Sequence, residues 1–299
     1  MEIKSLGVVG SGQMGSGIAQ VAACSGLTVV MHDIDDASLQ KAMDVIRKSL
    51  DKGIEKGRVQ ASDKKSALSR IRATMDFADL GNLDFIVEAV PEREEIKFKV
   101  FRDLDRLCPP ETILSSNTSS ISIGRLAAHT AHPGRVVGMH FMNPVPLMKL
   151  VEVIRGLNTS EETFQSTWAL AGRLGKTPVE ANDFPGFIAN RILMPMINEA
   201  AFALYHGVGS REAIDTTMSL GMNHPMGPLA LADLIGLDTC LFIMETLHEG
   251  FKDSKYRPCP LLRKYVDAGR LGRKSGEGFY RYETGSPDTG DNRVYSKKK

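Results

Sequence analysis

Gly7-Val8-Val9-Gly10-Ser11-Gly12-Gln13-Met14-Gly15 sets the spacing Gly-x-Gly-x-x-Gly directly after an apolar run and at the head of a helical pattern. Each glycine has its own reason. Gly10 permits a tight turn, Gly12 lets the backbone approach a pyrophosphate, and Gly15 allows helix and strand to pack closely. The helix that opens here offers unpaired N–H groups and a partial positive charge to phosphates, and Gln13 and Met14 of the loop are counted with the cofactor-binding residues. The next predicted strand ends at Asp33, about twenty residues on, where a carboxylate accepts from the adenosine ribose and repels a 2′-phosphate. That spacing favours NAD over NADP; the fingerprint alone leaves FAD open.

Working outward, the first half alternates short apolar runs with longer mixed segments, the pattern of βαβ units and a mostly parallel sheet. Strands are predicted over 5–9, 28–32, 85–88, 112–115 and 136–140, and helices over 15–24 and 37–56. Ala89, just past the third of these strands, is counted with the cofactor-binding residues. Lys52 and Lys56 lie one turn apart near the end of the second helix; they read as a solvated face or as a grip on a substrate phosphate. From Gly186 the pattern turns helical, with Phe187, Ile188, Ile192, Leu193, Met196, Ile197, Ala200, Ala201 and Leu204 at three- and four-residue steps. So broad an apolar stripe suits a helix buried in a core or a subunit interface. Further helices are expected over 210–220, 228–234 and 238–250. The fold class is therefore α/β: a Rossmann-type dinucleotide-binding domain over 1–185, an all-helical domain over 186–284, and a polar tail over 285–299. The boundary falls at the turn-rich Asp183-Phe184-Pro185-Gly186.

The 299 residues carry a formal net charge of +1, which gives no electrostatic footprint for nucleic acid or an anionic membrane. No stretch approaches the length of a membrane span. The cysteines Cys24, Cys108, Cys240 and Cys259 stand far apart without a Cys-x-x-Cys pair, so they read as inert buried thiols in a reducing compartment rather than a zinc site. A strand begins almost at the N-terminus and the chain ends in Ser296-Lys297-Lys298-Lys299, so no targeting signal is expected and the cytosol is the expected compartment, with an organelle left open.

His140 ends a predicted strand, Asn143-Pro144-Val145-Pro146 follows, and a second apolar run, Leu150-Val151-Glu152-Val153-Ile154, comes next. If the chain doubles back near Pro146, His140 and Glu152 fall opposite each other. A carboxylate beside imidazole fixes its tautomer and raises the basicity of the other nitrogen, which suits a general base. A lone histidine at a strand end is also a common structural residue. Glu152 within an apolar run weighs against that, since an unpaired carboxylate there is costly. Asn117-Thr118-Ser119-Ser120 follows another strand, where open α/β sheets gather ligand loops, although a capping cluster looks the same.

With these residues in view, the chain closely resembles the 3-hydroxyacyl-CoA dehydrogenase family, in particular its short-chain 3-hydroxybutyryl-CoA branch. The resemblance rests on Ser116-Asn117-Thr118-Ser119-Ser120, Gly138-Met139-His140-Phe141-Met142-Asn143-Pro144, Lys149-Leu150-Val151-Glu152, Pro185-Gly186-Phe187-Ile188-Ala189-Asn190-Arg191 and His224-Pro225-Met226-Gly227-Pro228. It implies His140 as general acid/base, Glu152 as its orienting partner, and Ser119 and Asn190 as contacts to substrate oxygens. It places Glu92, Lys97, Asn117 and Asn143 around the nicotinamide side of NAD. It further implies an acyl-CoA thioester substrate of the (S)-3-hydroxy series and a homodimer formed through the C-terminal domain. A gulonate-type dehydrogenase of a free sugar acid and a non-catalytic NAD-binding protein are the alternatives.

Overall fold

The computed structural model describes residues 2–282, so the tail expected over 285–299 lies outside the described residues. The chain divides into two compact units between Phe187 and Ile188.

The first unit is an eight-stranded sheet of order β3-β2-β1-β4-β5-β6-β7-β8. Its strands are β1 (Ser5–Val9), β2 (Thr28–His32), β3 (Ile71–Thr74), β4 (Phe85–Glu88), β5 (Ile113–Ser116), β6 (Val136–Phe141), β7 (Leu150–Arg155) and β8 (Thr177–Asn182). The helices between them are α1 (Gln13–Cys24), α2 (Asp36–Glu55), α3 (Ala61–Ser69), α4 (Glu94–Leu107), α5 (Ile123–Ala127) and α6 (Glu161–Arg173). Every strand pair is parallel except β6 with β7. The period-two alternation explains why both faces are covered. Leu6, Val8, Val29, Met31, Phe85, Val87, Val137 and Met139 enter one core with residues of α1, α2 and α6. Val9, Val30, Ile86, Val136 and Ile154 enter the other with residues of α4 and α5. From β1 the chain runs outward to β2 on one side and later to β4 on the other. The crevice beyond the carboxyl ends of β1 and β4 is thus the switch point where such sheets bind ligands.

The second unit is helical: α7 (Ala189–Tyr205), α8 (Arg211–Thr216), α9 (Pro228–Ile235), α10 (Leu237–Phe251) and α11 (Pro260–Asp267). Its core joins Met194, Ile197 and Ala201 of α7 to Leu229, Leu241, Met244 and Phe279. Two buried carboxylates lock its ends together. Asp215 accepts from the amides of Leu229 and Ala230 and from the Tyr280 hydroxyl; Asp233 accepts from the amides of Phe279 and Tyr280 and from the Tyr282 hydroxyl.

Several expected bounds shift. The strand expected over 112–115 spans Ile113–Ser116, because the Thr112 hydroxyl turns to the Leu83 carbonyl before the ladder begins. The helix expected over 210–220 stops at Thr216 and widens into a π turn over Thr217–Gly221. Phe187 and Ile188 are not in the long helix; Phe187 takes a left-handed backbone (φ 50°) and packs into the sheet unit's core, so α7 starts at Ala189. Cys24 is exposed rather than buried, while burial pushes the Cys108 thiol up to about 11 and Cys240 up to about 12. Among the described residues no helix is long and apolar enough to cross a membrane.

Candidate active site

The glycine-rich loop leaves β1 and enters α1. A Cβ on Gly10 (φ +99°) would lie 2.7 Å from the Ala89 carbonyl oxygen, and one on Gly15 would lie 1.8 Å from that of Gly10. Those two glycines are demanded by the protein's own packing. Gly12 is not: a Cβ there meets nothing within 4 Å. Its missing side chain matters only to something that approaches the head of α1, whose first turn, with Gln13 and Met14, holds no acidic residue and no side-chain cap. That is a cradle for a pyrophosphate, and the residues fit a dinucleotide. Asp33 stands one residue past β2, and its Oδ2 accepts from the Ser11 amide (2.7 Å) and hydroxyl (2.8 Å). Ala89, past the end of β4, donates its amide to the Val9 carbonyl at 2.7 Å.

Past the ends of β4 and β5 lies a network built on carboxylates. Glu88 is fully buried and accepts from Lys97 Nζ (2.6 Å), the Val90 amide (2.7 Å) and the Ser116 hydroxyl (2.6 Å); its burial pushes its pKa up. Glu92 Oε1 accepts from the Thr118 hydroxyl (2.5 Å), the amides of Ser119 (2.9 Å) and Ser120 (3.1 Å) and the Ser120 hydroxyl (2.9 Å). Its Oε2 faces Lys97 Nζ at 3.2 Å. Burial opposes ionisation of Glu92, but the Lys97 charge and these donors outweigh it and hold the pKa below the usual range. Lys97 is 1% exposed. It holds Glu88 and Glu92 from beneath and presents no ammonium at the surface. Asn117 closes the loop onto β6: its Oδ1 accepts from the Phe141 amide at 2.9 Å.

Beside Phe141 is the catalytic candidate. The antiparallel register of β6 and β7 pairs His140 with Glu152, and His140 Nδ1 meets Glu152 Oε2 at 2.7 Å. His140 is 7% exposed and Glu152 is buried. The bend between the strands is centred on Pro146, as the sequence suggested. Gly138, two residues before His140, lets the strands close: a Cβ there would sit 2.6 Å from Ile154 Cβ. The ring of Phe187 lies 5.8 Å from the His140 ring, tilted by 58°. A carboxylate fixed on Nδ1 holds that nitrogen as the donor and leaves Nε2 as the base.

Asn143 is exposed on the bend, and Lys52 and Lys56 are exposed at the end of α2. Asn190, where an exposed amide is the default, is 9% exposed in the first turn of α7. Three contributors escaped the sequence reading: Glu88, Ser116 and Lys176. Lys176 is buried and donates from Nζ to the carbonyls of Val145 (2.5 Å) and Met148 (2.9 Å), pinning the bend between His140 and Glu152. A buried lysine aimed at carbonyls carries no periodic signal.

Residues 5–184 match the NAD-binding domain, and residues 186–282 the C-terminal domain, of 3-hydroxyacyl-CoA dehydrogenases. The chain belongs to the 3-hydroxyacyl-CoA dehydrogenase family. Membership makes it an NAD-dependent oxidoreductase. The dehydrogenase is 58% identical over 283 residues to a probable 3-hydroxybutyryl-CoA dehydrogenase of Bacillus subtilis, covering 95% of this chain and 99% of the relative. It is 54% identical over 285 residues to the 3-hydroxybutyryl-CoA dehydrogenase of Bradyrhizobium diazoefficiens, covering 95% and 97%. The crystal structure of the (S)-3-hydroxybutyryl-CoA dehydrogenase of Ralstonia eutropha is similar to it with a TM-score of 0.92 at 50% identity, covering 95% of this chain and 100% of that one.

Proposed function

We propose that the protein interconverts (S)-3-hydroxybutyryl-CoA and acetoacetyl-CoA, with NAD as the hydride carrier and His140 as the general acid/base. The observation that carries this reading is the buried His140–Glu152 pair at 2.7 Å, on strands of the same sheet whose first strand feeds the glycine-rich loop. The Nδ1–H of His140 donates to Glu152, so Nε2 takes the proton of the C3 hydroxyl in the oxidation. The imidazolium that forms is stabilised by the Glu152 carboxylate. In the reduction Nε2–H returns the proton to the developing alkoxide. When bound, NAD supplies the hydride acceptor at its nicotinamide ring. Gly10, Gly12, Gln13, Met14 and Gly15 hold its pyrophosphate and Asp33 its adenosine ribose. Asn117, Asn143 and Glu92 with Ala89 line the remainder, Lys97 acting through Glu92. Ser119, carried on the loop that Glu92 braces, meets the substrate oxygen. Lys52 and Lys56, exposed and one turn apart, suit the phosphates of the CoA moiety. The protein works as a homodimer through its helical unit, in a reducing, cytosolic compartment that suits its free thiols.

The test is the loss of absorbance at 340 nm with acetoacetyl-CoA and either NADH or NADPH, with free acetoacetate as control. NADH oxidation with the thioester only is the expected outcome. Turnover of the free acid at a comparable rate would replace this reading with that of a free-acid dehydrogenase.

A further inference from the structure

The carboxyl ends of β1 and β2 are in register: Val9 is the partner of His32, and the Gly10 amide donates to the His32 carbonyl at 2.8 Å. Ser11 and Asp33 are therefore the first residues past a closed ladder on two adjacent strands, and they face each other. Ser11 spends both of its donors on one atom. Its amide and its hydroxyl reach Asp33 Oδ2 at 2.7 and 2.8 Å. Ser11 is 4% exposed, so water competes little for that hydroxyl. The Asp33 amide is itself tied to the Thr74 carbonyl at 3.3 Å. Asp33 Oδ1 accepts no hydrogen bond among the described residues. A carboxylate gripped twice through one oxygen cannot turn, and it presents the other oxygen in a fixed direction.

We propose that Ser11 is a positioning residue for cofactor choice: it fixes the Asp33 carboxylate so that Oδ1 meets the adenosine ribose of NAD and cannot swing aside for the 2′-phosphate of NADP. The inference rests on the reading of Asp33 as the ribose acceptor. It explains why a serine, which the glycine fingerprint does not ask for, occupies the position between Gly10 and Gly12. A preset acceptor forfeits no rotamer freedom when NAD binds, whereas a mobile one does. The same grip makes rejection of the phosphate firm, because relief of the charge clash requires the carboxylate to rotate. Asp35, two residues on at the head of α2, adds to the negative charge.

The experiment is a double-mutant cycle in the full-length enzyme with saturating acetoacetyl-CoA, reading kcat and KM for NADH and for NADPH. The variants are Ser11→Ala, Asp33→Ala and the pair. Ser11→Ala is expected to raise KM for NADH about 3- to 10-fold, the rotamer freedom that a released Asp33 carboxylate gives up when NADH binds. The change in kcat stays within about twofold, since no reacting atom is touched. The NADPH-to-NADH ratio of kcat/KM rises by a similar factor. In the Asp33→Ala background, Ser11→Ala adds nothing further. Ser11→Cys, close in size with a weak donor, serves as a second variant and behaves like Ser11→Ala. If Asp33→Ala weakens NADH but Ser11→Ala does not, or if the two effects multiply, Ser11 does not act through Asp33 and the proposal fails alone. If Asp33→Ala leaves NADH KM and the NADPH ratio unchanged, the ribose reading of Asp33 fails and takes the proposal with it.

Discussion

The hydrogen bond between His140 Nδ1 and Glu152 Oε2 decides which tautomer the ring adopts, and with it whether the ring has a base to offer. A carboxylate only accepts, so Nδ1 carries the hydrogen and Nε2 keeps its lone pair. Glu152→Gln leaves the shape nearly intact but supplies an amide that can donate to Nδ1, which stabilises the tautomer with hydrogen on Nε2. That tautomer cannot accept the substrate proton. His140→Gln removes the base outright. Both substitutions are expected to lower kcat about 10²-fold or more while NADH affinity, measured by fluorescence titration, stays within about twofold. Turnover within about threefold of the parent in either variant would remove that residue from the role given to it.

At the scale of elements, the loop after β5 and the bend after β6 are each held by one charged side chain, half-buried Glu92 and buried Lys176. Glu92→Gln keeps an oxygen for Thr118, Ser119 and Ser120 but sets an amide against the Lys97 ammonium, which stands 3.2 Å from Oε2. Loss of that pair should cost about 1–3 kcal/mol in urea unfolding. The sign with pH follows from the lowered pKa of Glu92. The folded state holds the carboxylate below its ordinary 4.5, so its stabilisation is complete above that value and fades as pH falls through the folded pKa. The stability gap between parent and Glu92→Gln should therefore be flat above about pH 5 and narrow below pH 4.5. A gap that persists unchanged at pH 3 would show that the charge of Glu92 contributes nothing. Lys176→Met strips the donors from the Val145 and Met148 carbonyls and should cost about 1–3 kcal/mol. It should lower kcat as well, because this bend sets the register of His140 with Glu152; unchanged kcat would separate the bend from the dyad. The sequence already carried the strand alternation, the glycine loop and the symmetry of His140 and Glu152 about Pro146, since each is local or periodic. It did not carry Glu88 with Ser116, a contact across 28 residues that exists only because β4 and β5 pair in parallel at that step. Nor did it carry the left-handed Phe187, which continues the apolar spacing of the helix it does not join. Short strands such as β3, four residues long, and the edge strand β8, interrupted by Pro178, lack a pattern distinct from loops.

For the whole molecule, the distribution of exposed apolar side chains separates the two units. Of sixteen large apolar residues left exposed, eight belong to residues 2–187 and eight to residues 188–282. The second span is about a third of the described chain, so its surface carries roughly twice the apolar density per residue. Ile192, Val208, Leu220, Met222 and Phe242 are among them, and all are exposed by 45% or more. Apolar surface of that density on a helical unit whose own core is already filled favours burial against a second copy. The buried carboxylates Asp215 and Asp233 tie that unit's own segments together, so association with a second copy should not require refolding. Sedimentation equilibrium is expected to give twice the 32.7 kDa chain mass at micromolar concentration. The midpoint of thermal unfolding should rise with protein concentration, because association stabilises only the folded chain. A single-chain mass together with a concentration-independent midpoint would leave these side chains as ordinary surface and the helical unit without a dimer role.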